Sequence, residues 1–316
     1  MRVATLMHPA DLSSADAPEL FLQTVPRTLV HRAAVSEVFV TGIQRIAPEH
    51  FRVGAQWPRS HSYYGPVAGR RHDPMLLAES IRQALLLISH EAYDVPIGYH
   101  FLSHTVSHDI DPDGALLTGR PAHVLLDVRC DDLKRRGKTV SGYTARVDCS
   151  RDGVVVGSGE VTLSCLPPAV YGRVRGERAL GATAPVRRAL PEAVTPELVG
   201  RRCASDVVLG ATGIDRVWTL RADQDHPVLF DHPVDHVPGM VLMEAARQAA
   251  LAVVQDPDGL AVSCEAAFDQ YVEFDSACLV TAVAGTDPVT GPRTVDVRFD
   301  QAGATVGTCR VKVLAS

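Results

Sequence analysis

No apolar run in the 316 residues is long enough to cross a bilayer. The opening stretch, MRVATLMHPADLSSADAPELF, lacks the charged head and sustained apolar core of a secretory leader. Basic residues are not in excess: 31 Lys and Arg stand against 37 Asp and Glu, a formal net charge of -6. That balance gives no electrostatic footprint for nucleic acid or an anionic membrane. Cys-x-x-Cys pairs are absent, and seven cysteines is an odd count, so no disulfide framework is expected. Cys130, Cys149, Cys165 and Cys309 fall in strand-like runs and read as buried, reduced thiols of a cytoplasmic protein. What is present is the composition of a packed globular chain, 46% hydrophobic and 22% charged, with length enough for two domains.

One segment occurs twice. PMLLAESIRQALLLI (74–88) aligns without gaps on GMVLMEAARQAALAV (239–253), pairing Met75 with Met240, Glu79 with Glu244 and Arg82-Gln83-Ala84 with Arg247-Gln248-Ala249. The offset is constant at 165 residues, the length of a duplicated domain rather than of a solenoid repeat. Val-, Thr- and Leu-rich stretches follow each copy: HVLLDVRC, KTVSGYTARVDC and VVVGSGEVTLSC after the first, ACLVTAVAG, RTVDVRFD and ATVGTCRVKVL after the second. The Gly, Asp and Pro turns between them imply antiparallel hairpins. Each copy therefore predicts a lead-in strand, one long helix and a meander of about four strands. The helices are apolar on nearly every side, which predicts burial. A buried helix wrapped by an antiparallel sheet is the hotdog arrangement. The expected class is α+β, a tandem double hotdog packed as a pseudo-dimer. The expected units are 1–166 and 205–316, with a Pro-, Gly- and Arg-rich surface linker over 167–204.

Charges inside such helices call for explanation. Glu79 and Arg82, like Glu244 and Arg247, stand three apart and share a helix face. An intrahelical salt bridge is the simple account. In an apolar helix, however, charges are expected to be paired, hydrated in a cleft, or used. Either glutamate is a candidate to give or take a proton. Pro238-Gly239 opens the second helix at about Met240, where unpaired N–H groups could hold an oxyanion. Asp73-Pro74 stands at that place in the first copy, so the second is the expected site. Ahead of it, Asp-His recurs at 225–226, 231–232 and 235–236. The spacing is not that of a zinc site. Shaping of the loop and a catalytic or orienting role for a histidine remain open.

FDHPVDHVPGMVLMEAARQAA resembles the signature of the A-factor-type γ-butyrolactone biosynthesis family, with VHRAAVSEVFVTGI and HDPMLLAESIRQA in the order that family shows. The resemblance implies a double hotdog akin to the hotdog dehydratases, and maps His232 and Glu244 onto their catalytic pair, with Glu79 as a second catalytic candidate. It implies transfer of a β-ketoacyl group from an acyl-carrier-protein thioester to the hydroxyl of dihydroxyacetone phosphate, without metal or organic cofactor. Arg247 and Arg82 would hold the phosphate, and the backbone at Gly239 and Met240 would hold the oxyanion. A dehydratase or thioesterase on acyl thioesters, and a non-catalytic acyl-binding protein, are the alternatives. Sheet edges could pair chains into a homo-oligomer.

Overall fold

The computed structural model describes residues 18–179, 186–285 and 291–316. The first half opens with the hairpin β1 (Val40–Ala47) and β2 (His50–Trp57), runs through helix α1 (Met75–Glu91), and continues as β3 (His100–Ile110), β4 (Ala122–Arg136), β5 (Thr139–Arg151) and β6 (Val154–Leu166). A short helix, α2 (Pro168–Arg175), leads out of it. The second half repeats the order with β7 (Leu209–Ala211), β8 (Val217–Leu220), α3 (Gly239–Val254), β9 (Leu260–Phe268), β10 (Cys278–Ala284), β11 (Arg293–Gln301) and β12 (Ala304–Leu314).

All twelve strands form one antiparallel sheet, ordered β1-β2-β4-β5-β6-β3-β9-β12-β11-β10-β8-β7. The order is palindromic. Each half contributes hairpin, meander and post-helix strand in the same sequence, and the halves join where β3 meets β9 (Thr105↔Ala267 to Asp109↔Ser263). The tandem double hotdog is therefore observed.

Both helices are buried because their sequences leave no polar face. Along α1, Leu77, Ile81, Leu85 and Ile88 are at most 2% exposed. Ser80 accepts from Trp57 Nε1 at 3.0 Å, and Ser89 satisfies itself on the Leu85 carbonyl. Small residues (Ala245, Ala246, Ala249, Ala250) line α3 and let strands approach closely. Gly239 fits closely at its start, since a Cβ there would stand 3.0 Å from the Phe268 ring and push it aside. No described helix is long and apolar enough to cross a membrane. Cys130, Cys149, Cys165 and Cys309 are buried and unpaired, as expected.

In its described part the stretch 167–204 runs mostly exposed or half-buried, anchored by a few buried side chains. Within its described part, α2 buries Tyr171 and Arg175, and the short 3-10 turn Pro196–Val199 buries Val199 and leads to the buried Arg201. Its arginines are engaged internally: Arg175 grips Asp235 and Glu273, and Arg178 pairs with Asp275.

Candidate active site

Each long helix carries a carboxylate clamped between two arginines. Glu79 accepts from Arg82 Nε and Nη2 at 2.9 and 2.8 Å, from Arg32 Nε at 3.0 Å, and from Gln83 Nε2 at 2.7 Å. Glu244 accepts from Arg247 Nε and Nη2 at 2.9 and 2.8 Å, from Arg201 Nε at 3.2 Å, and from Gln248 Nε2 at 2.6 Å. The i+3 and i+4 partners come from helix geometry. The third partner comes from a 3-10 corner before each hairpin, Arg32 after Arg27–Val30 and Arg201 after Pro196–Val199. The glutamines lock that corner: Gln83 accepts from the Phe39 amide and Gln248 from the Val208 amide.

Two arginines per glutamate decide its charge. Burial alone would raise the Glu79 carboxyl, but the fields and hydrogen bonds of Arg32 and Arg82 outweigh it and hold the group at about 2. Arg201 and Arg247 do the same to Glu244, also at about 2. The guanidiniums of Arg32, Arg201 and Arg247 are pushed above their ordinary range, chiefly by those glutamates acting against burial. Near neutral pH both carboxylates are anions. A carboxylate held that low is a weak base.

The two clusters differ in what they face. A cavity of about 860 Å³ runs between the halves, and its wall includes Arg32 and Arg82 from the first cluster. From the second half it takes His232, Pro238, Gly239 and Met240. Glu244, Arg247 and Arg201 do not line it. The reason is a substitution within the repeat. His61 and His226 are equivalent, each accepting two backbone N–H bonds at Nδ1 and each facing an acid, Glu37 or Asp206. Two residues on, the first half has Tyr63 and the second Val228. Arg201 donates to the Tyr63 carbonyl at 2.6 Å and lies 3.8 Å over the Tyr63 ring, which seals the second cluster. Arg32 donates to the Val228 carbonyl at 3.3 Å, makes no cation–π contact like that of Arg201 among the described residues, and faces the cavity.

The loop before α3 completes the wall. Asp231 crosses from the second half to the first: its carboxylate accepts from the Ala33 amide at 2.8 Å and pairs with Arg32 at 3.4 Å. It also holds His232 Nδ1 at 2.5 Å. Burial would raise Asp231, but the His232 hydrogen bond, Arg32 and the Ala33 amide bring it down to about 2. His232 is the exposed member of the pair, its side chain 43% accessible. At the start of α3, the Val241 and Leu242 amides fold back on the Pro238 carbonyl, and no described residue accepts from the amides of Gly239 or Met240. A second dyad, Asp235–His236, is built into the α2 wall. Asp235 accepts from Tyr171 at 2.7 Å and from Arg175, whose guanidinium also forks onto Glu273. The three Asp-His pairs do not converge, since His226 turns instead to Asp206.

Among the residues picked from sequence, Arg82, His232, Gly239 and Met240 meet at one cavity, with Glu79 directly behind Arg82. Glu244 and Arg247 form the sealed counterpart. Sequence reasoning passed over Arg32, Arg201 and the bridging role of Asp231. A signal for the first two exists: Val30-x-Arg32-x-x-x-Ser36-Glu37 repeats as Val199-x-Arg201-x-x-x-Ser205-Asp206. The repeat thus starts well before the helices.

Comparison with known proteins agrees with this architecture. The A-factor biosynthesis hotdog domain matches residues 13–167 and 182–315. A Streptomyces virginiae protein, "2-oxo-3-(phosphooxy)propyl 3-oxoalkanoate synthase", is 46% identical over 288 residues, covering 91% of this chain and 97% of its own. A Streptomyces coelicolor protein of the same name is 39% identical, with 93% of each chain covered. Among solved structures, the 12:0-ACP thioesterase from Umbellularia californica superposes with a TM-score of 0.52 at 11% identity, covering 86% of this chain and 100% of that one. A putative oleoyl thioesterase from Lactobacillus plantarum gives 0.51 at 12%, covering 84% and 96%. At such identities these two speak for the fold alone.

Proposed function

The chain belongs to the A-factor biosynthesis hotdog family, and from that premise we propose that it is an acyltransferase making a 2-oxo-3-(phosphooxy)propyl 3-oxoalkanoate. The donor is a 3-oxoacyl thioester on acyl carrier protein, and the acceptor is the hydroxyl of dihydroxyacetone phosphate. The observation that carries the reading is one apolar cavity that joins an open arginine pair, a His–Asp dyad and a helix N-terminus.

Arg82 and Arg32 suit the phosphate: both are cavity-facing guanidiniums held in place by Glu79. Glu79 then acts as an anchor that fixes two cations, not as the base. His232, oriented through Nδ1 by Asp231, takes the hydroxyl proton as the oxygen attacks the thioester carbonyl. The Gly239 and Met240 amides hold the resulting oxyanion, aided by the helix dipole. The C–S bond then breaks, and the proton passes from His232 to the departing sulfur. Leu85, Leu86, Val161 and Leu163 give the acyl chain an apolar wall. Glu244, with Arg201 and Arg247, holds the second half in the shape that presents α3 to the cavity.

The test incubates the protein with a 3-oxoacyl thioester and dihydroxyacetone phosphate and follows products by mass spectrometry. The phosphorylated ester should form, and unphosphorylated dihydroxyacetone should be a far poorer acceptor. Free 3-oxo acid as the main product, at a rate indifferent to the acceptor, would make the protein a thioesterase and overturn the reading.

A further inference from the structure

Position 31 of the first half corresponds to position 200 of the second, each closing its 3-10 turn in the left-handed region. The second half uses Gly200, at φ +68°, which carries no steric penalty there. The first half places His31 at φ +51°, a conformation uncommon outside glycine, although histidine is among the residues that take it most often. The exception falls on the half whose cluster is open, and His31 lines the cavity.

The hydrogen bonds fix its tautomer. His90 Nδ1 lies 2.6 Å from the Val95 carbonyl, which can only accept, so His90 carries its hydrogen on Nδ1. Its Nε2 is then a lone pair, 2.9 Å from His31 Nε2, and His31 must supply the hydrogen there. That leaves His31 Nδ1 as a bare acceptor, since the side chain's one hydrogen bond among the described residues is at Nε2. Phe101 packs edge-on against both rings and holds the pair. Burial, then the charge of Arg82, pushes the His31 imidazole down to about 3, so it stays neutral.

We propose that His31 is a positioning residue whose Nδ1 accepts a hydrogen bond from the amide N–H of the thioester's cysteamine arm. The choice of donor follows from chemistry. An attacking hydroxyl gives up its hydrogen, and its acceptor must carry positive charge; His31, beside Arg82, is badly placed for that. An amide keeps its hydrogen throughout, which suits an acceptor that does not titrate. Location agrees. The cavity reaches the surface at α2, where the lining residue Val174 is 59% exposed. Tyr171 of α2 stacks on His100, next to the Phe101 that abuts His31. A thioester arm entering there passes His31 on its way to His232.

The inference rests on the acyl-transfer reading, and its test separates the two. The probes are the 3-oxoacyl thioester of N-acetylcysteamine and its N-methyl counterpart, which lacks the N–H. Wild type should favour the N–H thioester by about tenfold in kcat/KM, the scale of one neutral hydrogen bond. His31→Gly, which copies the second half and relieves the backbone, should hold its Tm yet lose that preference. His31→Asn, tolerant of the same backbone and keeping an acceptor oxygen, should restore part of it. Equal use of both thioesters by wild type, or an undiminished preference in His31→Gly, would overturn the inference with acyl transfer still standing. No ester from either thioester in wild type would sink the acyl-transfer reading first.

Discussion

The sealed cluster makes the sharpest prediction about stability. In Glu244→Gln the Arg201 and Arg247 side chains, 6% and 7% exposed, lose the one carboxylate that neutralises both. Removing one partner from a buried ion cluster costs roughly 3–5 kcal/mol, because the remaining charge stays desolvated. In a chain of 316 residues each kcal/mol moves Tm by about 1.5 °C, so the variant should melt roughly 5–8 °C lower. Glu79→Gln should cost less, because Arg82 is 29% exposed and faces the cavity, where water can solvate it. The assay is thermal melting monitored by tryptophan fluorescence, with inorganic phosphate titrated against each variant. Phosphate should recover more of the loss in Glu79→Gln, whose arginines it can reach, than in Glu244→Gln. A combined Arg201→Leu, Glu244→Met, Arg247→Leu variant should regain most of the stability, as apolar replacements of whole buried clusters can. Should Glu244→Gln melt with wild type while Glu79→Gln collapses, the assignment of sealed and open halves is reversed.

Arg82→Ala should raise KM for dihydroxyacetone phosphate about ten- to a hundredfold, the loss of a hydrogen bond to a charged group, whereas Arg247→Ala should act through Tm; initial rates at varied acceptor distinguish them. His232→Ala should lower kcat by about 10²–10⁴, and Asp231→Asn should lower it too while also lowering Tm, because Asp231 pairs with Arg32 and the Ala33 amide; single-turnover formation of the ester reads the first effect and thermal melting the second. Val228→Tyr should cap Arg32 as Tyr63 caps Arg201, abolishing dihydroxyacetone phosphate binding in a titration calorimeter without loss of Tm; tight binding by that variant would discount the role given to Tyr63. Glu79, Glu244 and Asp231 all have folded values depressed to about 2, so their stabilisation is present above the unfolded carboxylate range near 4 and is lost as pH falls through it toward 2. Acid titration of Tm should show that decline, and Glu244→Gln should flatten it.

Much of the fold is legible because the repeat is legible. Met75–Gln83 and Met240–Gln248 announce two equivalent helices, and their lack of a polar face announces burial. Within each helix, the Glu–Arg pair is local, three residues apart, and so visible. Its second arginine is not: Arg32 reaches Glu79 across 47 residues and Arg201 reaches Glu244 across 43, contacts that exist only once the 3-10 corner folds over the helix. Which cluster faces the cavity is the hardest to see. Pro238-Gly239 points to the second helix, and α3 does present its N-terminus to the cavity, but alongside Arg82 of α1 and Arg32 beside it. In a two-fold arrangement each helix start serves the other helix's middle. A ring at Tyr63 and its absence at Val228 then decide which site is open, and no pattern in the sequence weighs one side chain's volume against a cavity.

The β3–β9 seam has a consequence for how this protein could change over generations. Two identical chains meeting across such a seam share every substitution, so a residue that closes one site closes both. Tethering the halves in one chain removes that constraint. Tyr63 can plug one site while Val228 leaves the other clear, and His31 can accept backbone strain that Gly200 does not. The Glu244 cluster, which the proposed chemistry leaves out, keeps its geometry because the continuous sheet makes each half the wall of the other. The asymmetry is a freedom conferred by a covalent link between two copies that no longer have to agree.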